Sequence, residues 1–285
     1  AHDADHIGVI NRVKPHTDFS GVVESGLCKM MAIGLGKQHG AEYYHRACMH
    51  YGFEATVLGA GRCMIGTGRV AFGLATIENA SDETARIAAA APGELIATEQ
   101  KLLQQAREWM GRLPFESMDL LIVDRMGKNI SGTGMDTNLI GRMLQDNEPE
   151  PESPSIRRIL VLDLTEESGG NATGVGLADV TTARLVEKMD RRVTYMNAFT
   201  ASGTQKSRTP VYFDTDREAL TCAINTIGLT PPEQSRTVRI QTTLHVDEVL
   251  ISEALTDEAR EREDLELLGS PAEMVFDEAG NLTHF

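Results

Sequence analysis

Met118-Asp119-Leu120-Leu121-Ile122-Val123-Asp124 is a near-continuous apolar run, the pattern of a strand buried on both faces of a parallel sheet. A glycine-rich loop, Gly127 to Gly134, follows it, and a short helix starts at about Thr137. The same order recurs at Ile159–Leu164, with a Gly/Asn loop from Ser168 to Gly176 and a helix expected over Leu177 to Met189. Between the two copies, Gln145 to Ser155 is acidic and holds three prolines, so it reads as an exposed loop. Strands alternating with helices predict an α/β protein whose sheets are mostly parallel and flanked by helices.

Working outward towards the N-terminus, Ile7–Asn11 reads as a short buried strand. Pro15 fixes its own φ and pushes Lys14 towards an extended conformation, which places His16 on a loop just past a strand end. Helices are expected over Glu24 to Ile33, stopped by Gly34 and Gly36, and over Gly40 to Tyr51. Val70–Glu78 is strand-like, and Ser81-Asp82-Glu83 reads as the cap of a long helix, Glu83 to Met110, interrupted at Pro92-Gly93. Towards the C-terminus, strands are expected at Val193–Phe199, Val211–Phe213 and Val238–Val246. Helices are expected at Asp216–Ile227 and Asp247–Leu268, and a hairpin turn at Asp277–Asn281. A boundary near Leu113-Pro114 divides the chain. Residues 1–115 form one domain and 116–250 a second, while 251–285 return to the first with a helix and a hairpin. The active site is expected in the cleft between the domains.

Composition narrows the function. The 285 residues are 41% apolar and 24% charged, as in ordinary folded proteins. A net charge of −15 without a basic cluster argues against nucleic acid or an anionic membrane as partner. No apolar run approaches the ~20 residues of a membrane span. Cys28, Cys48, Cys63 and Cys222 form no CxxC pair, which points to free thiols and a cytoplasmic protein.

The chemistry-bearing residues crowd the first 50 positions, where six of the eight histidines lie: His2, His6, His16, His39, His45 and His50. A zinc site on one helix is excluded by spacing. At ~100° per residue His39 and His50 share a face while His45 points away. Gly34-Leu35-Gly36 and Gly66-Thr67-Gly68 lack the rest of a dinucleotide fingerprint and read as helix stops and turns.

Pro15-His16, then Ser25-Gly26-Leu27-Cys28-Lys29, then His45 sixteen residues beyond the lysine, together resemble the core of the nickel-dependent lactate racemase (LarA-type) family. The likeness extends more faintly through Val70–Asn79 and from Asp119–Asp124 to Met135-Asp136-Thr137-Asn138-Leu139, covering roughly residues 5 to 145. It implies a racemase or epimerase of a 2-hydroxy acid that works by transient hydride transfer to a nickel pincer nucleotide. Lys29 would carry that cofactor covalently, His45 would ligate the nickel, and His16 would be one of two acid/base histidines. The partners implied are a small 2-hydroxy acid and the enzymes that build and load the cofactor. The chain departs from the family in three ways. His16 and Lys29 are three residues further apart. Ile140, Gly141 and Leu144 replace the tyrosine, glutamine and lysine that contact substrate. The second histidine and the cofactor-phosphate loop would lie upstream of this sequence.

Inverting a hydroxyl-bearing carbon by transient oxidation needs a general base for the hydroxyl proton, a hydride acceptor and a cation for the carboxylate. His16 suits the first role. Arg142 is the candidate for the carboxylate, with Lys128 second, and Thr133 and Asn138 complete the expected substrate contacts. Two alternatives remain from the residues alone. One is the same fold serving another metal or cofactor with different chemistry. The other is a non-catalytic protein that binds a small carboxylate or nucleotide.

Overall fold

The computed structural model describes residues 3–283; His2 lies outside them. The chain is α/β and divides into two compact units. The first runs to Gly111 and includes Gln145–Pro149 and Phe199–Gly203. The second comprises Arg112–Leu144, Glu150–Ala198 and the chain from Thr204 onward. Of residues 251–285, expected to return to the first domain, the described ones group with the second unit. The amide of Leu282 donates to Asp216 at 2.9 Å, and Arg239 donates to the Thr283 carbonyl at 3.0 Å. No described helix is long and apolar enough to cross a membrane.

In the first unit, strand β1 (Ile7–Arg12) pairs in parallel with β2 (Val70–Glu78), and β2 pairs antiparallel with β3 (Thr84–Ala90). Between β1 and β2 come α1 (Leu27–Lys29), which continues as a π-helical turn over Met30–Gly34, then α2 (Lys37–Tyr51) and α3 (Phe53–Gly66). Helix α4 (Leu95–Trp109) follows β3. Val9, Val13, Leu27, Cys28, Phe53 and Val57 share one core with Leu95, Leu102 and Leu103 of α4. Helix α3 was not anticipated. The expected helix from Glu83 is replaced at its start by β3. Asn79 Oδ1 accepts from the Ser81 and Glu83 amides, both at 3.0 Å, and Asp82 adopts φ 58°, so the chain reverses tightly after β2. The alanines of β3 favour helix intrinsically, but the ladder to β2 satisfies their backbone and overrides that preference.

The second unit holds a six-stranded sheet. It contains β4 (Ser117–Met126), β5 (Ser155–Leu164), β6 (Val180–Thr182), β7 (Val211–Phe213), β8 (Thr237–Ile240) and β9 (Leu250–Ile251), in the order β7-β6-β5-β4-β8-β9. All neighbours are parallel except β8 and β9. β4 is flanked by β5 and β8, and its Leu120–Val123 are fully buried, as the apolar run requires. The short helix after the glycine loop is α5 (Thr137–Ile140).

Four further expectations are corrected here. Residues 177–189 give β6 and then α6 (Ala183–Lys188), because Thr182 Oγ1 caps the helix by accepting from the Leu185 amide at 3.3 Å. Residues 193–199 lie in a helix, α7 (Arg191–Thr200). Asp190 Oδ1 accepts from the amides of Arg192 and Val193 at 2.8 and 3.1 Å and starts the helix despite its β-branched residues. The expected helix 247–268 shrinks to α9 (Thr256–Arg260), and the strand expected at 238–246 ends at Ile240. Ser252 Oγ accepts from the Thr237 amide at 3.0 Å and donates to the Ser235 carbonyl at 2.7 Å, holding that segment extended beside β8. Helix α8 (Asp216–Asn225) and the Asp277–Asn281 turn match the expectation.

Candidate functional site

The three residues singled out in the first 50 positions all belong to the first unit, and two of them touch. Past the end of β1 the chain is held across the start of α1. The Lys14 amide donates to the Ser25 carbonyl at 2.9 Å, and the Ser25 amide to the Lys14 carbonyl at 3.3 Å. This brings His16 over Lys29, and His16 Nε2 is in hydrogen-bond contact with Lys29 Nζ. His16 is buried against Phe19, ring centroids 4.7 Å apart. Its amide donates to Glu24 Oε2 at 2.6 Å, and the buried Glu24 also accepts from the Gly21 amide at 2.9 Å and pairs with Arg107.

The hydrogen bonds assign the protons. The Asp18 amide donates to His16 Nδ1 at 2.9 Å, and a backbone N–H can only donate. Nδ1 therefore carries a lone pair, and the neutral ring bears its proton on Nε2, facing Lys29. Lys29 Nζ must then accept, which requires the free amine. The electrostatics move the amine towards that form. Burial lowers the amine to about 8, with Lys14 acting in the same direction and the Asp18 and Cys48 charges opposing.

His45 lies on α2, and its Nδ1 donates to the Ala41 carbonyl at 2.8 Å. Burial lowers its pKa, opposed by the Ala41 carbonyl, by Asp18 and by the Thr200 backbone; the Lys29 charge adds to the lowering. With Nδ1 on the Ala41 carbonyl, the second backbone contact, to Thr200, falls to Nε2, so both ring nitrogens are engaged within the first unit. Among the described residues no group of three or more His, Cys, Asp or Glu is placed to hold a metal ion. The nitrogen side chains gathered here are the Lys29 amine and the His16 and His45 imidazoles, with His45 reached through its charge interaction with Lys29. Cys48 and Tyr44, beside His45, are both pushed up by burial, Cys48 to about 11.

Three residues of this site escaped the sequence reading: Asp18, Glu24 and Glu99. The signal for Asp18 was its place two residues after His16. Glu99, on α4, is fully buried under the start of α1 and accepts from the Cys28 amide at 2.9 Å. A side chain at Gly26 would place its Cβ 2.3 Å from Glu99 Oε1, so this approach requires glycine. The segment that carries Lys29 then turns π-helical at Met30–Gly34, a feature enriched at functional sites. Burial raises the Glu99 carboxyl above its usual 4.5, against the hydrogen bonds from Cys28 and Leu27. A folded-state pKa above the unfolded one favours the native state below the ordinary value, and this advantage is lost as pH rises through the folded value. Glu99→Gln, which keeps an oxygen for the Cys28 amide, is therefore expected to raise Tm at neutral pH. The gain should vanish below about pH 4.5. A pH-independent loss in thermal unfolding would contradict a raised Glu99 pKa.

A cavity of about 460 Å³ lies nearby, lined by Ser20, Gly21, Glu54, Gln104 and Arg107 among others. Neither Lys29 nor His45 lines it.

The substrate contacts expected in the second unit fare differently. Arg142, the expected carboxylate anchor, is engaged within the fold. Its Nη1 donates to Asp179 Oδ2 and to the Leu177 carbonyl, both at 2.8 Å, and Nη2 to the Ile156 carbonyl at 3.2 Å. In this structure its guanidinium is engaged by Asp179 and two carbonyls. Lys128 Nζ bonds the Gly132 carbonyl of its own loop. Thr133 Oγ1 donates to the Met135 carbonyl at 2.7 Å, and Asn138 Nδ2 to Asp136 Oδ1 at 3.2 Å. These contacts close the loop after β4 on itself. Thr165 Oγ1, after β5, donates to Asn129 Oδ1 at 2.6 Å and joins the loop to the Ser168 turn. That turn is held to the loop by the Lys128 amide, which donates to Ser168 Oγ at 2.9 Å.

No protein-family model, no curated protein and no solved structure matches the chain.

Proposed function

We propose that this chain racemises or epimerises a 2-hydroxy acid, with Lys29 as the covalent attachment point of a nickel pincer nucleotide and His45 as the protein ligand of its nickel. The observation that carries this reading is the contact between the Lys29 amine, its pKa lowered by burial, and His16, with His45 in the same electrostatic neighbourhood. A free amine is the state that can form an amide-type link, and a neutral imidazole is an apt nickel ligand. When bound, the group supplies a hydride acceptor.

The chain's own residues do the proton work. With Lys29 consumed by attachment, His16 Nε2 faces the reaction site. To take a hydroxyl proton there, the ring must first shift its own proton from Nε2 to Nδ1 and give up the bond from the Asp18 amide. The Asp18 carboxylate, 3.9 Å from Nδ1, is the ion-pair partner of the ring once it is protonated. Asp18 thus orients the base, as the third member of a catalytic chain does elsewhere. Glu24 and Arg107 hold the loop in position. Enzymes that assemble the cofactor are the expected partners, and the four free cysteines suit a cytoplasmic setting.

The test is the intact mass and nickel content of protein made in a host that synthesises the cofactor. Added mass localised to Lys29, with about one nickel per chain, is the expected result. An unmodified Lys29 without nickel would overturn the reading and favour a non-catalytic binder of small carboxylates or nucleotides.

A further inference from the structure

We propose that Lys29, in the chain without cofactor, is a carbonyl-capturing amine that forms a Schiff base with small 2-oxo acids. This goes beyond the cofactor reading and does not depend on it.

Three observations converge on one atom. The hydrogen-bond pattern of His16 requires Lys29 to accept a proton, so its lone pair exists in the folded state. Lys29 is intermediate in exposure, so its side chain is not sealed within the core as its neighbours Leu27 and Cys28 are. The backbone bridge between Lys14 and Ser25 brings Lys14 to the start of the helix, and its charge acts on Lys29. An amine made reactive by desolvation and a neighbouring cation is the arrangement used by Schiff-base lysines. The groups that act on the amine are Lys14, His16, Asp18, His45 and Cys48. Lys14 supplies the attraction for a carboxylate next to the carbonyl.

The step balances without a further reagent. The Nζ lone pair attacks the carbonyl carbon, and a proton passes from nitrogen to the carbonyl oxygen to give a carbinolamine. His16 Nε2–H, no longer facing the lone pair, can donate to that oxygen. The hydroxyl leaves as water with a solvent proton, and the iminium remains on Lys29.

The test uses full-length chain made without the cofactor, incubated with pyruvate and cyanoborohydride, which supplies the hydride that traps the iminium. Peptide mapping is expected to find the reduced adduct on Lys29 well before the other lysines. The rate should rise with a midpoint near pH 8, against about 10.4 for an ordinary lysine. Lys29→Arg should remove that adduct and leave slow labelling elsewhere. Labelling spread evenly over the lysines, or a midpoint near 10, would overturn the proposal. An uncharged aldehyde reacting as fast as pyruvate would overturn the assignment to 2-oxo acids. A chain that captures pyruvate but never takes up nickel would overturn the racemase reading alone, and the reverse result would overturn this one alone.

Discussion

His16→Gln is expected to lower racemisation by the cofactor-loaded protein about 10²–10⁴-fold, the usual contribution of a positioned acid/base group. Glutamine keeps an acceptor near the Asp18 amide but cannot exchange a proton with a substrate hydroxyl. Added mass on Lys29 should persist in the variant, which separates loss of chemistry from loss of attachment. Circular dichroism of a single enantiomer of substrate reads the rate. Asp18→Asn should give an intermediate loss, because the carboxylate orients the ring without itself touching substrate. If His16→Gln retained near-full turnover with the cofactor in place, His16 would be only a packing partner of Phe19.

Arg142→Ala is expected to destabilise the second unit by about 3 kcal/mol, since it strips a charge-assisted bond from a partly buried Asp179 and leaves two carbonyls unpaired. For a unit of this size that lowers Tm by roughly 10 °C. Substrate KM should stay unchanged. Arg142→Lys should recover little, because an ammonium cannot span the three acceptors that the guanidinium fork reaches. In a double-mutant cycle, removing Asp179 as well should cost less than the sum of the single changes. A raised KM with unaltered Tm would restore Arg142 to the carboxylate-binding role that the sequence suggested.

The contrast between His16 and Arg142 shows what the sequence makes legible. Lys14-Pro15-His16 and the glycine-spaced approach to Lys29 are local signals, and the chain brings them together through the short-range bridge between Lys14 and Ser25. The buried strands β4 and β5 are likewise readable, because burial on both faces imposes one continuous apolar run. Arg142 could not be read, since its partners come from Ile156, Leu177 and Asp179, which are remote in sequence. Thr84-Ala85-Arg86-Ile87-Ala88-Ala89-Ala90 misleads for a related reason. Its composition favours a helix, and only the pairing with β2 makes it a strand. Val193-Thr194-Tyr195 errs the other way, because the capping carboxylate of Asp190 outweighs β-branched residues. Glu99 gave no signal at all, as a lone glutamate in a helix is ordinarily solvated.

The strand order of the second unit also sets a timetable for biosynthesis. β4 needs β5 on one side and β8 on the other, yet β8 is translated only from Thr237, long after β4 ends at Met126. At about 5–20 residues per second, the ribosome takes on the order of ten seconds to cover that interval. Throughout it, a strand whose centre, Leu120–Val123, is fully buried in the finished fold has one row of backbone donors and acceptors without its native partner, and such an edge invites pairing with another nascent chain. Chains arrested between β7 and β8 are therefore the species expected to recruit chaperones or aggregate.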